Sequence, residues 1–255
     1  MKSSLITTAF VFASLPVFAG SSAPAIAPQP AEVSSWEYRT TLYGWAQGLD
    51  GEIGILGKTA DVNIGFDDIA QDLEMAFMGS FIATRGRWSF VADLSYAKIG
   101  ADEKIPNTTI DFTQEQLVGN FTINYEAYKQ DSLMLCFYMG ARANWLDATL
   151  EIDDILTLPK DFEGSDSVGW VDPIIGARFR ADLSEKFFFI ASGDVGGFGV
   201  ASDFTWQALA GFGYRLNDSG SLLLGYRAIG TDYTDGGFTY DLVASGLVIG
   251  YEYKF

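Results

Sequence analysis

The chain has 255 residues, with 16 Lys and Arg against 33 Asp and Glu and no histidine. A net charge of −17 excludes nucleic acid as a partner, because phosphates repel such a surface. The single cysteine, Cys136, excludes an internal disulfide, and a composition 48% apolar excludes a disordered acidic tail.

The N-terminus reads MKSSLITTAFVFASLPVFAG, with basic Lys2, an apolar run from Leu5 to Leu15, and small residues around Ala19. This predicts a secretory signal peptide over 1–19, cleaved after Ala19. As a membrane anchor the run is too short, since a spanning helix needs ~20 residues. Without Lys2 the chain holds 15 basic and 33 acidic residues, a charge of −18. The Pro, Ala and Ser of GSSAPAIAPQPAEVSS predict a flexible lead-in over 20–35. Residues 36–255 then suffice for one domain, and none of its stretches is long and apolar enough for a transmembrane helix.

From Trp36 onward the hydrophobic period is two. Alternating runs between turn signals predict strands near 36–46, 75–85, 87–99, 110–127, 132–150, 167–182, 186–200, 203–217, 220–234 and 238–255. Within 47–74, GEIGILGKTADVNIG is a candidate hairpin, projecting above the sheet or raising the count from ten to twelve. FDDIAQDLEM follows as a short helix for which Asp67 is the candidate cap. The links RGR, YKQD, LSEK, NDSG and TDGG are short, whereas 47–74, 100–109, 151–166 and the glycine-rich 199–203 are longer or looser. Such a rhythm suits an up-and-down antiparallel meander.

Each strand has one apolar face. In WVDPIIGARFRADL, Val171, Pro173, Ile175, Ala177 and Phe179 oppose Trp170, Asp172, Ile174, Gly176, Arg178 and Arg180. The same division recurs in LVGNFTINYEA, WQALAGFGYRL and LLLGYRAIG. A soluble barrel would alternate equally well, so other features must decide which face is outside. The strands reach the ~9–11 residues that cross a bilayer at a tilt. Trp36, Tyr38, Trp88, Phe187, Tyr214, Tyr253 and Phe255 gather at the short-turn end, like an interfacial girdle. On the polar face, Gly176, Gly211, Gly213, Gly225 and Gly250 stand beside bulky arginines, small next to large as in a narrow lumen.

The expectation is therefore an all-β fold: a closed antiparallel transmembrane barrel of about ten strands (range 8–12), apolar side outward. In hydrocarbon every strand edge must be paired, so the first strand must meet the last, with Glu37 and Arg39 near Glu252 and Lys254. Arg39, Asp93, Glu126, Arg142, Asp172, Arg178, Arg180, Asp194, Arg215, Arg227 and Glu252 are expected to form a lumen charge network, because buried charges require partners. Cys136 is read as a small lumen filler.

The ending GLVIGYEYKF, with Tyr251, Tyr253 and terminal Phe255, resembles the assembly signal of bacterial outer-membrane barrels. WVDPIIGARFRADLS, GDVGGFGVASDFTWQALAGFGYRLND and LLLGYRAIGTDY resemble a widespread uncharacterised group of that class, as does DVNIGFDDIAQDLEMAFMGSFIATRGRWSFVADLSY. The resemblance implies the outer membrane of a Gram-negative bacterium. It also implies membrane lipids, lipopolysaccharide and the barrel assembly machinery as partners, and it brings no site residues.

Enzymes that resemble this scaffold (lipid A deacylases, palmitoyl transferases, phospholipases and omptin-type proteases) use a histidine as base, and this chain has none. Asp172 and Asp194 are the pair open to an all-carboxylate mechanism, with arginine neutralisation as the plainer reading. GDVGGFG lacks the helix and Lys of a phosphate loop, and suits a bend or rim turn. Acids such as Asp50, Asp61, Asp67, Asp153 and Asp154 lack EF-hand spacing and are read as solvated loops. No enzyme activity, cofactor or metal is predicted, and the oligomeric state stays open. The expected role is structural or surface-interacting, with a charge-plugged lumen. A small-solute channel is the alternative, and a histidine-free lipid-modifying enzyme is a further one.

Overall fold

The computed structural model describes residues 35–255 apart from 56–57, 106–107 and 155–161. The predicted signal peptide, its Ala19 site and the lead-in before Ser35 lie outside the described residues. The side chains of the loop acids Asp153 and Asp154 do so as well.

In chain order the elements are β1 (Glu37–Ile55), β2 (Lys58–Ile64), α1 (Phe66–Asp72), β3 (Leu73–Arg85), β4 (Trp88–Ile105) and β5 (Thr108–Gln130). They continue as β6 (Leu133–Asp154), β7 (Phe162–Asp182), β8 (Phe187–Gly197), β9 (Phe204–Arg215), β10 (Gly220–Asp235) and β11 (Phe238–Lys254). From β3 to β11 each strand pairs antiparallel with its sequence neighbour. The ends meet as the hydrocarbon argument requires: β11 pairs with β1 from Arg39↔Lys254 to Gly54↔Thr239. Glu37 and Lys254 seal that join with an ion pair of 3.1 Å.

Two details correct the sequence reading. GEIGILGKTADVNIG is a hairpin that adds one short strand rather than two. β2 pairs with β1 alone, from Leu49↔Ile64 to Ile55↔Lys58, and stands outside a barrel of ten strands. It fits there because β1 pairs with β3 only over Glu37–Leu42, leaving the far half of that β1 edge free. Asp67 does not cap α1. Gly65 takes the N-cap position, Asp67 lies within the first turn, and Asp68 Oδ2 accepts the Gly65 N–H at 3.3 Å.

The outward face is apolar on every wall. Leu42, Phe77, Phe121, Phe137, Met139, Phe212, Leu224 and Ile249 are all exposed, Met139 by 65% and Ile249 by 66%. A wall of that kind in water would be a vast aggregation-prone patch, and in a bilayer it is the contact surface. At the short-turn end the aromatic girdle is knitted together. Trp36 stacks on Tyr38, Tyr38 on Phe81, and Trp88–Tyr125, Phe187–Tyr214 and Tyr253–Phe255 form further pairs.

The wall is uneven in height. β8 has 11 residues, whereas β5 has 23 and β6 has 22. The β7–β8 ladder stops at Ile174↔Gly196, so β7 rises beyond it without a partner on that side. Pro173, which has no N–H to offer, occupies the next position, where a missing ladder bond costs nothing. Above the short β8–β9 hairpin, β7 and β10 meet through side chains instead: Trp170 stacks on Tyr233 at 4.2 Å, nearly parallel at 8°. The hairpin turn itself needs left-handed backbone at Gly197, Phe198 and Gly199, which explains the glycine-rich GDVGGFG.

Candidate functional site

The inward side chains form three levels. Nearest the long-loop end, Leu146, Trp170, Tyr233, Tyr240 and Leu242 pack into a buried apolar cluster. Below it Trp45, Met78, Val118, Ile229 and Val248 form a second. Only a void of about 20 Å³ lies between residues of these layers.

A polar layer comes next, at the middle of the lumen. Arg142, with no exposed side-chain surface, reaches it from β6 and divides its donors among three strands. Its Nε donates to Asn120 Oδ1 at 2.8 Å, Nη1 to Thr205 Oγ1 at 2.8 Å, and Nη2 to Asp194 Oδ1 at 2.6 Å. Tyr138 donates to the other Asp194 oxygen at 3.0 Å. From β10, Arg227 donates to Asp93 Oδ1 at 2.8 Å, to Tyr43 Oη at 2.7 Å and to Gln207 Oε1 at 2.7 Å, and its guanidinium lies over the Trp45 ring. Tyr43 passes its own proton to Asp93 Oδ2 at 3.0 Å, and Asn120 Nδ2 reaches Asp93 at 3.4 Å. Asn120 thereby joins the two ion pairs into one network. Each guanidinium has a carboxylate, which is the condition for keeping such charges out of water.

The remaining predicted residues sit elsewhere. Asp172 is fully buried but serves no arginine among the described bonds; its two oxygens accept the Ser202 N–H at 2.8 Å and the Ser202 hydroxyl at 2.7 Å. It ties the β8–β9 turn to β7 where the ladder ends. Asp172 and Asp194 are thus separately engaged, and the arginine partners predicted for them are corrected: Asp194 holds Arg142, Asp93 holds Arg227, and Asp182 holds Arg215 and Arg180. Arg180 and Arg215 also lie over the two-sided surface of the buried Phe188 ring, at 3.7 and 5.0 Å from its centroid. Glu126 pairs with Lys129 at 3.5 Å near the rim. Arg178 lies over the Tyr138 ring at 5.8 Å.

Below the polar layer the lumen opens toward the short-turn end as a vestibule of about 440 Å³, and Arg39, Arg178, Arg180, Cys136 and Glu252 line it. A second recess of about 300 Å³ at the same end is lined by Arg39, Arg180, Asp182, Arg215 and Glu252. Tyr43, Tyr138, Thr205 and Gln207 are network members that charge-based reading missed. Their signal was parity: each stands on the inward alternation of its strand, but neutral groups announce no need for a partner. Among the described residues, no group of three or more His, Cys, Asp or Glu is placed to hold a metal ion.

Neither a protein-family profile nor a curated protein matches the chain. Solved structures do. The outer membrane protease OmpT from Escherichia coli superposes with a TM-score of 0.57 at 11% identity, over 88% of this chain and 99% of that one. Ail, the attachment invasion locus protein of Yersinia pestis, gives 0.36 at 9% identity over 87% and 99%, and neisserial surface protein A gives 0.31 at 15% over 88% and 100%. At these identities the likeness to OmpT is one of architecture. The chain has the fold of an outer-membrane β-barrel, a closed antiparallel cylinder of ten strands with one short strand outside.

Proposed function

We propose that this chain is an integral outer-membrane barrel whose lumen is plugged by its own arginine–carboxylate network, with a structural or surface-interaction role. One observation carries the reading: Arg142 and Arg227, 0% and 3% exposed, are tied across the lumen to Asp194 and Asp93. A pore for solutes would leave such charges hydrated. The apolar clusters above the network support the same conclusion. On this reading the chain is exported by its N-terminal signal, cleaved after Ala19, and inserted by the barrel assembly machinery through Tyr251, Tyr253 and Phe255. The girdle meets the membrane lipids, and the long-loop rim meets lipopolysaccharide. A non-catalytic role fits a sequence without histidine.

Purified protein in planar bilayers is expected to show no steady conductance above the lipid background. A large, stable conductance would refute the plug. The channel alternative has one observation in its favour, the 440 Å³ vestibule. If a thread of water continued past it, Arg227→Gln would alter ion selectivity; on the plug reading there is no current to alter.

A further inference from the structure

Plugging the lumen at its middle leaves the vestibule as a blind pocket open at the short-turn end. Its volume, about 440 Å³, falls within the ~300–1,000 Å³ range of small-molecule sites. Positive charge there exceeds what the protein neutralises. At this level Arg39, Arg178, Arg180 and Arg215 face two carboxylates, Asp182 and Glu252. Asp182 is shared by Arg180 and Arg215, and no carboxylate among the described residues pairs with Arg39 or Arg178. In a chain of charge −17 this concentration of cations is local and opposite in sign to the whole.

A second, independent feature points into the same space. Asn124, 3% exposed, lines the vestibule two strands from Arg178, and its Oδ1 has no hydrogen-bond partner although Nδ2 donates to Thr122. An orphaned buried amide oxygen costs about 1–3 kcal/mol unless something outside the chain satisfies it. The rest of the lining is apolar, including Ile82, Met134 and Leu209.

We infer that the vestibule binds a small amphipathic anion, a phosphate monoester or carboxylate on a short apolar body, with Arg178 and Arg39 on the anionic group and Asn124 accepting a proton from it. The site goes beyond the plug and depends on it only for its floor.

The test uses the folded barrel in phosphatidylcholine nanodiscs and calorimetric titration with hexyl phosphate. Inorganic phosphate (no apolar body) and hexanol (no charge) serve as comparison probes. Hexyl phosphate is expected to bind more tightly than either, and Arg178→Gln and Arg39→Gln each to weaken it at least about tenfold, the effect of losing one charge-assisted hydrogen bond. Lys186→Gln, outside the vestibule beside Tyr214, is expected to leave binding unchanged. Adding phosphatidylglycerol to the discs separates sources: competition assigns the anion to a lipid headgroup, and its absence assigns it to a free solute. Equal binding of hexanol, no binding at millimolar probe, or indifference to both arginine variants in folded barrels would overturn the inference. A barrel that conducts ions yet binds hexyl phosphate would sink the plug and leave this site standing.

Discussion

Two kinds of residue set the stability of the lumen. The first is the buried ion pair. Asp194→Asn removes the charge beside Arg142, which has no exposed surface on which to rehydrate. The expected cost is about 3–5 kcal/mol, read from urea unfolding in lipid discs. The second is the glycine whose missing side chain makes room. A Cβ on Gly213 would overlap the ring of Phe188, the fully buried platform beneath Arg180 and Arg215. Gly213→Ala is therefore expected to destabilise by about 1–3 kcal/mol, whereas Gly44→Ala, with open space around it, changes little in the same unfolding experiment. Legibility differs between the two. That Gly213 and Arg215 share the inward face follows from alternation, but that Gly213 exists for Phe188 does not, because the two lie on different strands.

At the scale of elements, the β8–β9 hairpin is the low point of the wall, and Asp172 is its fastening. Asp172→Ala leaves the Ser202 N–H and hydroxyl without their acceptor and is expected to cost about 1–3 kcal/mol. Hydrogen exchange should accelerate over 198–203 while the β5–β6 ladder stays protected. The strand ends also respond to acid with opposite signs. At the short-turn rim, the hydrogen bond and charge of Lys254 hold the Glu37 carboxyl below its ordinary range. Its contribution is present above the usual glutamate range and fades as pH falls toward the lowered value. At the long-loop rim, burial, with Asp241 and Asp203 beside it, pushes Asp232 up. Protonating Asp232 favours the fold, and that contribution is lost as pH rises through the raised value. Acidification from neutral pH should thus speed amide exchange at Arg39 and Lys254 and slow it at Asp232, modestly, since both rims are wet. Element positions were legible from period two and turn residues. The cap of α1 was not, because Gly65 and Asp67 both suit helix starts and only the path of β2 into α1 chooses between them.

At the scale of the molecule, one inversion governs everything: apolar side chains outward, charge inward, every backbone edge paired. The folded barrel is expected to stay dispersed only in detergent or lipid and to aggregate when both are withdrawn, as light scattering would show. The sequence alone determined this inversion, the closure of β1 on β11, the meander order and the identity of nearly all inward charges. Those properties depend on alternation along single strands and on the rule that hydrocarbon tolerates no open edge. Tertiary structure alone decided who pairs with whom across the lumen. Arg142 finds Asp194 and Arg227 finds Asp93, while Asp172 turns away to a loop. Strand tilt and stagger bring distant positions to one level of the cylinder, and neither quantity is written in any single strand.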